Sequence, residues 1–216
     1  MGEAAGESYR TLRTGFEICG EFEDRRSRFI AQLVHVGSQE AAEAHVAAVR
    51  ARHHDARHNV PAWILAEGSE RCADDGEPSR TSGMPTLEVL RGAGLKDVCC
   101  VVTRYFGGTL LGPGGLVRAY TNATKEAVEA AEAQGAIALM TQVTGVEVRL
   151  PYPLYDRVSR LAADCRGKIV DSQFTEDVRL TCDFINGDEQ RFVHDVREAA
   201  NGEDLCRVLP PRFAEF

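Results

Sequence analysis

The last third of the chain changes hydrophobic period in an order that leaves few folds open. Over Gln142–Leu150, Val146, Val148 and Leu150 alternate with Glu147 and Arg149, the two-residue period of a half-buried strand. Leu154, Val158, Leu161 and Cys165 then recur at helical spacing across Pro153–Arg166, and Gly167 is expected to end that helix. Lys168–Phe174 reads as a second strand. Val178, Leu180, Cys182 and Phe184 alternate with Arg179, Thr181 and Asp183 in a third. A helix over Asp188–Asn201, built on Phe192, Val196 and Ala199/Ala200, ends at Gly202, and Leu205–Leu209 makes the last strand. The order β-α-β-β-α-β predicts a ferredoxin-like domain.

The first part follows another plan. After an opening that reads as disordered, strands are predicted at Gly15–Phe22 and Ser27–Val36, joined by the charged connector Glu23-Asp24-Arg25-Arg26. Ser38 is a candidate N-cap for a helix carrying Ala42, Val46 and Val49 on one face through about His53. Val60–Ala66 reads as a strand, Glu67–Pro85 as a long polar loop, Thr86–Arg91 as a short helix and Asp97–Tyr105 as a strand buried on both faces. A glycine-rich turn, Gly107–Gly115, leads into a long helix to Gln134. Its predicted buried stripe is Leu116, Tyr120, Ala123, Ala127 and Ala131, with Gly135 at the C-cap. The expected organisation is α+β, with domains at 1–140 and 141–216.

At 216 residues, 44% hydrophobic, each half is long enough for its own core. Residues 1–140 carry 15 basic and 19 acidic side chains, and residues 141–216 carry 10 and 14. The net charge of −8 excludes a highly basic, sequence-blind nucleic-acid binder, while leaving room for a local basic patch. Seven cysteines, an odd number with no CxxC pair, argue for free thiols in a reducing compartment. The start MGEAAGESYR has no apolar leader and no stretch is long enough to span a bilayer, so a cytoplasmic protein with no membrane partner is expected.

Val101 to Tyr120 form the strongest local feature: a strand, a glycine-rich loop and a helix start. Glycines there let backbone N–H groups approach a ligand, and a helix N-terminus favours an anion. Arg104 and Arg118 flank the loop. No Gly-Lys-Ser/Thr follows, so it is not a Walker A loop. Anion binding and a tight turn whose glycines serve packing are both open. The acidic run Asp74-Asp75-Gly76-Glu77-Pro78-Ser79 offers carboxylates for a cation or a general base, or else an Asp-Gly turn. His54 and His58 lie four apart, yet Asn59 and Pro61 end the helix before they can share a face, so no metal site is expected. Cys72 is the thiol outside core patterns.

Arg25-Arg26-Ser27-Arg28-Phe29-Ile30, His58-Asn59 with Ala62-Trp63, Asp74-Asp75-Gly76-Glu77-Pro78-Ser79, and Thr103-Arg104-Tyr105-Phe106-Gly107-Gly108 through Gly114-Gly115-Leu116-Val117-Arg118-Ala119-Tyr120 occur in that order. They resemble the signatures of the YigZ/IMPACT family, in its bacterial two-domain type. Two positions depart from that pattern. Arg80-Thr81-Ser82-Gly83 stands where the family reads Gly-Thr-Ala-Gly, and Val60 stands where a Cys usually follows His-Asn. The resemblance implies a first domain folded like a small-subunit ribosomal protein's second domain, like domain IV of elongation factor G and like the GHMP kinases. It implies a second domain like the C-terminal domain of that elongation factor. Eukaryotic relatives regulate translation by binding a partner of an initiation-factor kinase.

The resulting expectation is a non-catalytic binding protein for RNA or a ribosome-associated partner, without a cofactor. Arg104, Gly107, Gly108, Gly112, Gly114, Gly115 and Arg118 would form the anion-contacting edge, and His58, Asn59, Asp74, Asp75, Glu77 and Ser79 the rim. Two rivals stand beside it: an enzyme acting on a phosphorylated metabolite, and a protein-interaction module docking through the second domain's sheet.

Overall fold

The computed structural model describes residues 8–185 and 187–216. Residues 9–138 form one compact unit, and 139–216 belong to another. The fold is mixed α+β in both.

In the first unit the strands are β1 (Ser8–Leu12), β2 (Glu17–Asp24), β3 (Ser27–His35), β4 (His58–Ile64), β5 (Glu70–Cys72) and β6 (Val98–Tyr105). The helices are α1 (Gln39–Arg52), α2 (Gly83–Gly92) and α3 (Gly112–Ala133). Five strands make one antiparallel sheet in the order β2-β3-β6-β4-β5. The central strand β6 shows why both faces are covered. Val98, Cys100 and Val102 pack toward α2 and α3, whereas Cys99 and Val101 pack with Val46, Val49 and Trp63 beneath α1. The period of two thus feeds two cores from one apolar run. Gly20 lets β2 meet α3 closely, because a Cβ there would lie 2.1 Å from the Ala127 nitrogen.

Ser38 caps α1, its hydroxyl accepting from Ala41 N–H at 3.2 Å. The α3 stripe Leu116, Tyr120, Ala123, Ala127 and Ala131 is buried as the spacing predicts, and Gly135 follows the helix at φ +64°. Three expectations for this unit are corrected. Residues 8–12, read as disordered, form β1: Lys96 N–H donates to Arg10 O at 2.9 Å and Leu12 is wholly buried. The polar loop 67–85 contains β5 and yields α2 three residues early, because Asp74 supplies the cap that Ser82 does not. Cys19, expected in a core pattern, is exposed on β2.

In the second unit β7 (Ile137–Leu150) is followed by a 3₁₀ turn at Tyr152–Leu154 and by α4 (Tyr155–Asp164). Then come β8 (Lys168–Phe174), β9 (Val178–Ile185), α5 (Asp188–Ala199), β10 (Cys206–Val208) and β11 (Arg212–Glu215). The sheet runs β8-β9-β7, and β10 and β11 pair in succession with the other side of β7, all antiparallel. That arrangement is ferredoxin-like. Val146, Val148, Leu150, Leu180, Cys182, Phe184, Phe192 and Val196 fill its core under the two helices. Two details differ from expectation. The final strand is split, with β11 beyond the predicted end. The left-handed residue after α4 is Arg166 (φ +59°), while Gly167 serves packing, since a Cβ there would lie 2.2 Å from the Phe184 ring.

Candidate functional site

The turn between β2 and β3 consists of Arg25 and Arg26, both left-handed at φ +45° and +65°. It supports the glycine-rich segment. Gly107 N–H donates to Ser27 Oγ at 3.1 Å, and Arg25 Nη1 donates to Leu110 O at 3.2 Å. A Cβ on Gly107 would stand 2.1 Å from the Arg26 carbonyl carbon, so only glycine fits that approach. Gly108 and Gly112 are required for conformation, at φ +85° and +72°. Gly115 faces Leu111, whose Cβ lies 2.8 Å from where a Gly115 Cβ would be. Gly114 differs from all of these. It has no left-handed φ and open space around it, in a first helical turn where glycine costs about 1 kcal/mol relative to alanine.

Arg104 lies on β6 next to Phe29 of β3 and His58 of β4. Its Nη1 meets Glu77 Oε1 at 2.7 Å, with 7% and 3% of the two side chains exposed. The same Glu77 oxygen accepts the Tyr120 hydroxyl at 2.8 Å, and His58 Nε2 stands 3.9 Å away. Burial, then the Glu77 charge and hydrogen bond, push the Tyr120 phenol far above its ordinary range, which keeps it a donor. The guanidinium also lies over the Phe29 and Phe106 rings at 5.5 and 5.6 Å. Its Nε is buried without a partner among the described residues.

The acidic run is tied inward by its own carboxylates. Asp74 accepts from Arg80 N–H, Ser82 N–H, Ser82 Oγ and Gly83 N–H at 2.7 to 3.2 Å, closing the loop and capping α2. Burial raises its pKa, but these hydrogen bonds outweigh that and hold the carboxyl below the usual range. Asp75, at φ +46°, pairs with Arg50 at 2.6 Å and accepts Asn59 N–H at 2.7 Å. His58 Nδ1 lies 2.8 Å from the Asp75 carbonyl, which can only accept, so this ring nitrogen carries the proton. Of the three acids, Glu77 is the one in the wall of the cavity that Phe106 also lines. Among the described residues no group of three or more His, Cys, Asp or Glu is placed to hold a metal ion.

Glu77, Arg104, His58 and Gly112 line one cavity of about 290 Å³, together with Arg57, Phe106, Pro113 and Leu116, whereas Gly107, Gly108, Gly114 and Gly115 are not in its wall. The remaining predicted residues go elsewhere. Arg118 is on the exposed face of α3 and Ser79 is exposed in the loop. Asn59 turns toward Thr103, accepting from its hydroxyl at 2.7 Å. Cys72 is half-buried on β5, and burial pushes its thiol pKa up, away from reactivity. Two contributors were not singled out from sequence. Arg57 lies over Phe106 at 5.2 Å. Tyr120 has no place among the expected site residues, although a buried tyrosine hydroxyl needs a partner. A larger groove of about 780 Å³ between α2 and α3 is walled by Met84, Pro85, Val89 and Val117. It gathers none of the residues of the buried cluster.

The Impact N-terminal domain family matches residues 25–128, and a domain of unknown function, DUF1949, matches residues 148–203. The IMPACT family member YigZ of Escherichia coli is 39% identical over 162 residues, covering 73% of this chain and 78% of the relative. An IMPACT family member of Haemophilus influenzae is 31% identical over 193 residues, covering 88% and 92%. The chain belongs to the IMPACT family. A crystal structure described only as that of a hypothetical protein aligns with a TM-score of 0.62 at 32% identity, covering 94% of this chain and 97% of its own. Within this IMPACT family chain, Arg80 stands at φ +63°, a left-handed position where glycine is favoured. Its side chain is exposed, so the substitution strains the loop without blocking a close approach. No helix among the described residues is long and apolar enough to cross a membrane.

Proposed function

We propose that this IMPACT family chain is a non-catalytic, translation-linked binding protein that holds RNA through a phosphate group at the entry to α3. The observation that carries the reading is the bare first turn of that helix. It has no side-chain cap and no acidic residue, and its Gly112 and Pro113 line the cavity shared with Arg57 and His58. The early N–H groups of a helix lack intrahelical partners, and the helix end carries a partial positive charge. Gly114 leaves that backbone open to approach. Arg104 supports the cavity from beneath: Glu77 already matches its charge, so it positions the site, and Arg57, exposed and without an ion-pair partner among the described residues, supplies a cation. With a net charge of −8 on the whole chain, binding rests on this local arrangement and is salt-sensitive.

The test compares wild type, Arg57→Gln and Gly114→Glu in ribosome co-sedimentation and in titrations with labelled RNA at low and moderate salt. Glu at 114 has room and suits a first helical turn, so the helix stands while the anion is repelled. At least a tenfold loss in both variants is expected. Failure of the wild type to bind either RNA or ribosomes refutes the proposal. A thermal-shift response to nucleotides or sugar phosphates would then favour a small phosphorylated metabolite in the 290 Å³ cavity.

A further inference from the structure

Helices α4 and α5 pack on one face of the second unit's sheet, and residues on its other face break a pairing rule. On β7 and β9, Val146, Val148, Leu150, Val178, Leu180 and Cys182 turn toward the helix-covered core. The alternate positions Glu147, Arg149, Arg179 and Thr181 therefore point away from it. In the register of these strands Arg149 stands directly opposite Arg179. Like charges facing each other across an antiparallel pair are destabilising. On the next strand Arg207 is opposite Glu147, two residues along β7 from Arg149. Arg149, Arg179 and Arg207 converge with Glu147 and Leu205 around a cavity of about 320 Å³.

The three arginines are not equivalent to structural ones. Arg212, on the same sheet, donates to both oxygens of Asp183 at 2.9 and 2.7 Å, and that carboxylate is 3% exposed. Arg149 and Arg207 are 69% and 79% exposed, paired with Asp177 at 2.9 Å and Glu147 at 3.7 Å. Arg179 is exposed and has no ion-pair partner among the described residues. Three guanidiniums share two carboxylates, Asp177 and Glu147, which leaves Arg179 unmatched in a surface whose folding gains nothing from the Arg149–Arg179 rung. An anion between them converts that repulsion into two charge-assisted contacts, a task for which the planar guanidinium fork suits phosphate.

We infer that the exposed Arg149–Arg179–Arg207 end of this sheet face is a second phosphate site, and that its occupant is the phosphodiester backbone of RNA. The cavity wall holds no aromatic ring to stack a base, so contact is with backbone charge and is indifferent to sequence. The site belongs to other residues than the α3 entry and stands whether or not that entry binds.

The experiment titrates the full chain against a fluorescein-labelled, unstructured single-stranded RNA at several salt concentrations, with inorganic phosphate as competitor. Arg179→Gln/Arg207→Gln removes two exposed charges. It is expected to weaken binding about tenfold at low salt and to reduce the slope of log K against log salt by about 1.4, at roughly 0.7 per single-strand phosphate contact. Arg179→Glu provides a second check. It sets opposite charges across the rung with Arg149, so its thermal midpoint should not fall while RNA binding drops further. Arg57→Gln, run alongside, separates the two sites. A loss confined to Arg57→Gln overturns this inference and leaves the α3 entry intact. A loss confined to the sheet variants supports it at the expense of that entry. Absence of RNA binding by the wild type overturns it, as does full displacement of the RNA by low-millimolar phosphate.

Discussion

Arg104 and Glu77, 27 residues apart in the chain, form a 2.7 Å ion pair sealed between Phe29, Phe106 and Tyr120. Taking one partner from such a pair leaves a buried charge without compensation, which costs about 3–5 kcal/mol. Arg104→Met and Glu77→Leu should each lose that much in urea unfolding, and the double variant should lose less than the sum. Additive losses, or single losses under about 1 kcal/mol, would show the pair to be uncoupled. Loss of RNA binding in Arg104 variants therefore has to be read against their stability.

The pH dependence of stability should carry a signature of Asp74. Its folded-state pKa lies below the unfolded value because four hydrogen bonds favour the carboxylate over the burial penalty. A depressed pKa contributes stability that is present above the unfolded value, near pH 3.9 for Asp, and is lost as pH falls through the folded one. Wild type should thus lose stability progressively below about pH 4, and Asp74→Asn should flatten that part of the profile. Unfolding midpoints measured from pH 6 down to pH 2 decide it. Identical acid profiles for the two proteins would remove Asp74 from the account.

Arg80 offers a test of backbone strain. A left-handed conformation costs a residue with a side chain about 1–2 kcal/mol, and glycine gives back part of the gain through its freer unfolded state. Arg80→Gly should raise stability by about 0.5–1 kcal/mol, read as a higher urea midpoint at unchanged slope. A fall would mean that the exposed guanidinium makes a contribution larger than the strain.

The ferredoxin-like order, the doubly buried β6 and the α3 stripe were legible because each is written in local periodicity. The strands β1, β5 and β11 were not. Each has five residues or fewer, and what makes it a strand is a distant partner, such as Trp63 for β5 and Gln142 for β11. The site was half legible for the same reason. Glycines 107, 108 and 112 announce an unusual backbone, but nothing local tells that Arg104 is committed to Glu77. Asp75 and Gly76, just before Glu77, and Arg80, just after it, are left-handed in the loop that brings Glu77 to Arg104. Arg57 reads as one more surface charge until Phe106 is seen beneath it.

Gly107 and Gly114 separate packing from binding within one loop. Gly107→Ala forces a methyl against the Arg26 backbone and should cost at least about 1–3 kcal/mol, the range for overpacking, with displacement of the β2–β3 turn. Gly114→Ala meets nothing within 4 Å and replaces a poor helix former by the best one, so it should add about 0.5–1 kcal/mol. If Gly114 is retained to keep the α3 backbone open, the stabilised variant should bind RNA more weakly than wild type. Chemical denaturation and RNA titration on the same preparations check both halves. A Gly114→Ala protein that is more stable and binds equally well would assign that glycine no part in the site.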